Sequence, residues 1–219
     1  MKFDILYLDL DGTLLESHTG IFRAIEHTMV EMGFPVPSEE ELMSFIGPPI
    51  RESFEKVGMD DAQIAKAVPI FREYYDNKGI FDSRLYDGVK VTLNKLKNKG
   101  YKLYIATSKP DYMAERITAH YGIDHYFEAI EGARVDGYLA KKGDLLKYMV
   151  EHYLDGDGSK AVMVGDRHHD LLGARNAGLR SIAVAWGYGS SEEIAECKPT
   201  AVAQYPCQLS KIVDQLNEV

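Results

Sequence analysis

The chain is poor in cysteine. Only Cys197 and Cys207 occur among its 219 residues, and both lie near the C-terminus. Two thiols are too few for a disulfide-stabilised scaffold, and their spacing is not that of a zinc site. We therefore expect two reduced thiols, as in a protein of the cytoplasm.

Long apolar stretches are also missing. The N-terminal apolar run at residues 3–8 is interrupted by Asp4 and followed by Asp9, and no other run approaches the length of a membrane helix. This pattern predicts neither a signal peptide nor a transmembrane span. It agrees with a cytoplasmic location.

Basic residues are outnumbered by acidic ones. Lys and Arg total 25 against 34 Asp and Glu, a formal net charge of -9. Because a negative surface repels nucleic acid and anionic lipid, we expect neither as a partner. An anionic substrate would need local positive charge at its site, from a metal ion or a few lysines.

Apolar runs and helical patterns alternate along much of the chain. Short runs typical of strands buried on both faces lie at residues 5–8, 102–106, 126–130, 161–164 and 181–184. Helical patterns lie between them at residues 89–98, 111–120, 142–153 and 171–177. This alternation predicts a doubly wound, Rossmann-like α/β fold with a parallel sheet.

Residues 16–84 break that alternation. Helical patterns appear at residues 20–32, 38–45 and 60–75, with prolines between them and no convincing strand. We interpret this segment as a small helical domain inserted after the first strand. The predicted α/β core then consists of residues 1–15 and 85–219.

Polar side chains follow several predicted strands. In an open α/β sheet, such positions meet at the carboxyl edge, where ligands bind. Close carboxylates repel each other unless a cation lies among them, and oxygen ligands favour a hard cation such as Mg²⁺. The residues in these positions are Asp9, Asp11, Thr107, Ser108, Lys109, Asp166 and Asp170.

Four stretches in order resemble the motifs of the haloacid dehalogenase superfamily. DLDGTL at residues 9–14 is similar to its signature, and GDRHHD at residues 165–170 to its acidic fourth motif. Thr107 matches the second motif. Lys142 is the best match for the third-motif lysine, with Lys141 as the alternative because that spacing varies. The inserted segment, with FIGPP at residues 45–49, resembles the helical cap of the phosphoglycolate phosphatase-like branch.

The resemblance implies a role for each acidic residue. Asp9 would be the nucleophile that forms an aspartyl-phosphate, and Asp11 the general acid and base. Asp9, Asp166 and the backbone carbonyl of Asp11 would bind Mg²⁺. Asp170 would support the metal directly or through water.

The remaining candidate residues would bind the phosphate or the rest of the substrate. Thr107 and the backbone N–H of Ser108 would contact phosphoryl oxygens, and Lys142 would add fixed positive charge. Arg51 in the inserted segment has two interpretations, a partner for a second anionic group of the substrate or a surface residue in a first helical turn. Lys109 either lies near the phosphate or only caps a helix.

The resulting hypothesis is a Mg²⁺-dependent phosphatase acting on a small phosphomonoester. Phosphoglycolate, a nucleoside monophosphate, a sugar phosphate and pyrophosphate stay open as substrates. A cap of this size would restrict access and disfavour a folded protein substrate. The alternatives are a phosphomutase or pyrophosphatase on the same core, or a non-catalytic regulatory module. We expect a monomer or homodimer.

Overall fold

The computed structural model describes residues 3–218. Its strands are β1 (Ile5–Leu8), β2 (Leu15–Glu16), β3 (Arg84–Leu85), β4 (Lys102–Pro110), β5 (Phe127–Ala133), β6 (Ala161–Gly165), β7 (Arg180–Val184) and β8 (Ala201–Ala203). Its α-helices are α1 (His18–Glu31), α2 (Glu39–Met43), α3 (Ile50–Lys56), α4 (Asp61–Tyr74), α5 (Val89–Asn98), α6 (Asp111–His120), α7 (Lys142–Leu154), α8 (His168–Asn176), α9 (Ser191–Cys197) and α10 (Leu209–Glu218). Within residues 3–218, no helix combines the length and the apolar character needed to cross a membrane.

The chain forms two compact units. One contains the chain up to Leu15 and from Leu85 onwards, and the other is Glu16–Arg84. The short strands β2 and β3 pair with each other at the two points where the chain passes from one unit to the other.

The larger unit is built on a six-stranded parallel sheet in the order β5-β4-β1-β6-β7-β8. Strand β1 lies between β4 and β6, with Leu8 in register with Ile105 and Val164. Its four residues are all buried, because both faces of a parallel sheet are covered. On one face, Tyr7 packs in a core with Leu146 and Met149 of α7, and its hydroxyl donates to the Met149 carbonyl at 3.1 Å.

This architecture confirms the predicted doubly wound α/β fold. The largest differences from the predicted boundaries are at three elements: β4 continues to Pro110, with an irregular register after Ala106, β5 continues to Ala133, and α8 begins at His168 rather than near residue 171. The elements α9, β8 and α10 were not predicted. The apolar patterns of α9 and β8 are weak because these elements are short. Helix α10 is longer and clearly amphipathic, so its pattern was present in the sequence and was missed.

The smaller unit is helical and has an aromatic core. Phe54, Phe71 and Tyr75 are buried, and the Phe71 and Tyr75 rings stack with their centroids 5.7 Å apart. Helix α4 runs on into a π-helical turn at Tyr75–Gly79. There Gly79 meets Gly20 of α1 so closely that a Cβ on Gly20 would lie 2.1 Å from the Gly79 carbonyl oxygen. Glycine at both positions allows this backbone contact.

Candidate active site

Three aspartates meet at the carboxyl edge of the sheet. Asp9 follows β1, Asp166 follows the neighbouring strand β6, and Asp170 lies in the first turn of α8. One oxygen from each lies within 4.8 Å of the others, and all three residues are buried. The register of β1 and β6 therefore brings together carboxylates that are more than 150 residues apart in the chain.

A tight turn after β1 brings a fourth carboxylate, that of Asp11, to the same edge. The Leu10 carbonyl accepts from the backbone N–H groups of Leu14 and Leu15, both at 2.9 Å. Gly12 adopts a φ of +81°, which favours glycine, and a Cβ there would lie 2.2 Å from Asp166 Oδ2. Position 12 must therefore be glycine, both because of its positive φ and because a side chain there would collide with Asp166.

Lys142 lies among the carboxylates. It is the first residue of α7, and its Nζ lies 2.7 Å from Asp9 Oδ1, 2.9 Å from Asp170 Oδ1 and 2.6 Å from the Ala106 carbonyl oxygen. Its side chain is only 4% exposed, whereas the neighbouring Lys141 is exposed. Of the two candidate lysines, the structure brings Lys142 to Asp9.

Thr107 and Ser108 lie near the end of β4, beside β1. Thr107 is buried, and its hydroxyl oxygen accepts from the Lys109 backbone N–H at 3.2 Å. The hydroxyl proton is therefore available to a ligand oxygen. Ser108 is half-buried.

A segment after β7 also contacts the site and was missed by the sequence analysis. The Tyr188 backbone N–H donates to Asp166 Oδ2 at 2.8 Å, and the Trp186 indole N–H donates to the Thr13 carbonyl at 3.0 Å. A Cβ on Gly187 would lie 2.3 Å from Asp166 Cβ. This segment therefore joins the turn after β1 to the carboxylate after β6. Its paired glycines directly after a strand were the signal in the sequence.

Two further side chains at this edge, those of Thr13 and Lys109, contact carboxylates of the site. The Thr13 hydroxyl donates to Asp166 Oδ1 at 3.3 Å, so together with Tyr188 both oxygens of Asp166 are held. Lys109 Nζ lies 3.0 Å from Asp11 Oδ2. The position of Lys109 after a strand was visible in the sequence, but its partner was not.

Arg51 belongs to the smaller unit, where it is paired with acidic neighbours. Its guanidinium forms ion pairs with Glu55, at 3.3 Å, and with Asp61. The side chain is 53% exposed. Both partners, Glu55 and Asp61, belong to the same helical unit as Arg51. These ion pairs do not distinguish a substrate-binding role from a surface role.

Comparison with known proteins identifies the family. A family model described as haloacid dehalogenase-like hydrolase matches residues 5–184. The chain belongs to this family. In structure, it is similar to a predicted phosphatase from Clostridium acetobutylicum, with a TM-score of 0.93 and 33% identity, covering 98% of this chain and 100% of that one.

Several named relatives of this haloacid dehalogenase-like protein are phosphatases. A 5'-nucleotidase of Pseudomonas aeruginosa is 37% identical over 204 residues, covering 91% of this chain and 90% of that protein. The tyrosine-protein kinase PtkA of Mycobacterium tuberculosis is 34% identical over 214 residues, covering 98% and 71%. A phosphoglycolate phosphatase of Vibrio cholerae is 31% identical over 211 residues, covering 91% and 92%. The predicted family and a phosphatase activity are thereby confirmed.

Burial and mutual repulsion govern the ionisation of this haloacid dehalogenase-like site. Desolvation raises the pKa of Asp9 to about 7, against the opposing attraction of Lys142 and with the help of Asp170. Burial, and then the charges of Asp170 and Asp9, also raise the pKa of Asp166 well above its usual range. For Lys142, burial lowers the pKa, but Asp170 and Asp9 more than offset it, so the ammonium stays charged.

The donor set fits a hard divalent cation. In the part of the chain that the structure describes, two ammonium groups face four carboxylates at this edge, so the carboxylates carry two more negative charges than the lysines offset when all four are ionised. Within residues 3–218, the buried Oδ1 of Asp11 has no hydrogen-bond partner. Oxygen ligands and a surplus of two negative charges suit Mg²⁺ better than a soft metal.

We expect the metal-free protein to lose stability as the pH rises from about 6 to about 8. The folded-state pKa of Asp9 lies above its unfolded value, so the folded state binds more protons over this window. The free energy of unfolding then falls with pH, by up to about 1.4 kcal/mol per pH unit for one such group. Mg²⁺ competes with these protons and should stabilise more at pH 8 than at pH 6.

Thermal unfolding followed by circular dichroism, in EDTA and in Mg²⁺ at both pH values, measures this effect. A melting temperature in EDTA that rises from pH 6 to pH 8 would contradict it. So would a larger stabilisation by Mg²⁺ at pH 6.

Proposed function

We propose that this protein is a Mg²⁺-dependent phosphatase that hydrolyses small phosphomonoesters through an aspartyl-phosphate on Asp9. The observation that carries the proposal is the contact between a buried nucleophile candidate and a buried cation, Asp9 Oδ1 and Lys142 Nζ at 2.7 Å. This pair lies beside two further carboxylates. A phosphate dianion could not approach these carboxylates without added positive charge.

Asp9, Asp166 and the backbone carbonyl of Asp11 would hold Mg²⁺. Bound there, Mg²⁺ would neutralise charge on the phosphate and orient it for attack. Asp170 Oδ1 forms an ion pair with Lys142 Nζ at 2.9 Å, although within residues 3–218 it meets no hydrogen-bond criterion, and Oδ2 accepts from the Arg167 backbone N–H at 3.2 Å. We therefore assign Asp170 a supporting role, in which it orients Lys142 and approaches the metal with its remaining lone pairs.

Asp9 attacks phosphorus in the first half-reaction, and the bond to the leaving oxygen breaks. Asp11 donates a proton to that oxygen, and in the second half-reaction it takes a proton from the attacking water. Thr107 donates its hydroxyl proton, and Ser108 its backbone N–H, to phosphoryl oxygens. Lys142 holds Asp9 in place and stabilises the charge that develops on the same oxygens.

The identity of the substrate is part of the proposal. The relatives named as 5'-nucleotidase and phosphoglycolate phosphatase favour a small phosphate ester, with nucleoside monophosphates and phosphoglycolate as the first candidates. We also propose that Glu16–Arg84 is a cap domain that selects the substrate, with Arg51 as a candidate contact. The proposed location is the cytoplasm, consistent with two free cysteines.

A phosphate-release screen tests the function. The panel contains p-nitrophenyl phosphate, phosphoglycolate, nucleoside 5'-monophosphates, glucose 6-phosphate and pyrophosphate, each with Mg²⁺ and with EDTA. We expect Mg²⁺-dependent release from p-nitrophenyl phosphate and faster release from at least one alkyl phosphate. If no compound is hydrolysed faster than by the Asp9→Asn variant, the proposal is wrong. Release from pyrophosphate alone would replace it with a pyrophosphatase.

A further inference from the structure

Asp11 has a buried cationic partner of its own. Lys109 Nζ lies 3.0 Å from Asp11 Oδ2, and the two side chains are only 6% and 13% exposed. Lys142 contacts Asp9 and Asp170 instead. The two lysines of the site are thus divided between the nucleophile candidate and the acid/base candidate.

The fold holds the backbone of Lys109 from two sides. Its N–H donates to Thr107 Oγ1 at 3.2 Å, within the irregular end of β4. On the other side, Gly132 of β5 lies against its carbonyl, so that a Cβ on Gly132 would be 2.4 Å from that oxygen. A lysine on a backbone fixed in this way can hold its partner's orientation at a small further cost in entropy.

The two oxygens of Asp11 have different surroundings. Oδ2 is paired with Lys109, whereas the buried Oδ1 has no hydrogen-bond partner within residues 3–218. A carboxylate group is rigid and planar. When an ammonium group fixes the position of one oxygen, the direction of the other oxygen is fixed as well. Among residues 3–218, Oδ1 is therefore the oxygen without a fixed partner, so it can carry a proton while Oδ2 keeps its ion pair with Lys109.

We propose that Lys109 is a positioning residue for proton transfer: it holds Oδ2 of Asp11 so that Oδ1 exchanges the proton. This inference rests on the proposed function. As the bond between phosphorus and the leaving oxygen breaks, the proton on Oδ1 passes to that oxygen, and the Asp11 carboxylate keeps its ion pair with Lys109. Water then gives a proton to Oδ1 and attacks phosphorus, the Asp9–phosphate bond breaks, and Asp11 is protonated for the next cycle.

The test compares leaving groups that differ in their need for a proton. The p-nitrophenolate ion is a weak base and leaves unprotonated, whereas an alkoxide needs the proton. The measured quantity is the ratio of kcat/KM for p-nitrophenyl phosphate to kcat/KM for the alkyl phosphate that the wild type hydrolyses fastest. Because kcat/KM covers the first half-reaction, this ratio reports proton donation rather than phosphate binding.

We expect Lys109→Met to raise this ratio about tenfold or more, since general acid catalysis contributes about 10²–10⁴-fold and depends on orientation. Asp11→Asn should raise it at least as much. The double variant should show no further rise, because Lys109 acts through Asp11. Lys147→Met, at an exposed position on α7, is the matched control and should leave the ratio unchanged.

Equal losses on both substrates in Lys109→Met would overturn the inference and make Lys109 a general phosphate-binding cation. An unchanged enzyme, or additive effects in the double variant, would also overturn it. If Lys109→Met is unfolded by circular dichroism, Lys109→Gln serves for the same comparison, since it is also neutral. Failure of the proposed function is a separate result, namely full activity of Asp9→Asn.

Discussion

Asp9→Asn is expected to reduce phosphate release by about 10⁴-fold or more, the scale of loss seen when an enzyme's nucleophile is removed. The carboxamide has nearly the shape of the carboxylate but cannot form the acyl phosphate. The variant should fold, and without metal it should be at least as stable as the wild type near neutral pH. The reason is that it removes one of several neighbouring carboxylates, while the Lys142 ammonium keeps its ion pair with Asp170.

Phosphate release and thermal unfolding are measured together for this variant. Asp4→Asn is the matched control, because Asp4 is an exposed aspartate just before β1 and should keep full activity. Acid-quenched wild-type protein should carry phosphate on Asp9 by mass spectrometry, and the variant should not. Residual activity near the wild-type rate in Asp9→Asn would exclude the aspartyl-phosphate.

Lys142→Met is expected to have the second-largest effect, on both activity and stability. The Lys142 ammonium is buried against two carboxylates, and removing one partner of a buried ion pair costs about 3–5 kcal/mol. Loss of a fixed charge aimed at the reacting phosphate costs about 10²–10³-fold in kcat. Mg²⁺ should recover part of the lost stability, since it supplies positive charge to the same carboxylates.

Lys141→Met separates this effect from a general loss of a lysine at the start of α7. Lys141 is exposed and adjacent in the sequence, so its replacement should change kcat by less than about twofold and leave the melting temperature nearly unchanged. Urea unfolding with and without Mg²⁺, together with phosphate release, measures both variants. A larger loss in Lys141→Met than in Lys142→Met would reverse the assignment of the third-motif lysine.

Much of the α/β unit could be predicted because its signals are local. Buried parallel strands are short apolar runs, and the polar residues that follow them must reach the carboxyl edge. Asp9, Thr107 and Asp166 were found by that rule, and the structure places each of them at this edge. The turn at Gly12 could also be predicted, because a glycine after two aspartates is typical of a turn that requires a positive φ.

The sequence favoured Lys142 over Lys141, but spacing alone left Lys141 as an alternative. Either residue can begin a helix, and only the packing of α7 on the sheet decides which side chain enters the site. The segment from Trp186 to Gly189 was missed for a related reason. Its contacts with Asp166 are made largely by backbone atoms, and their geometry depends on how β7 lies beside β6.

Local patterns were thus sufficient for five of the six strands of the sheet, most helices of the α/β unit and the acidic residues of the site. They could not reveal which charged groups become partners. Asp11 and Lys109 are almost a hundred residues apart, and their pairing depends on the register of β1 with β4 and on the irregular end of β4. Pairing between distant residues depends on the packing of the whole sheet, so only the tertiary structure decides it.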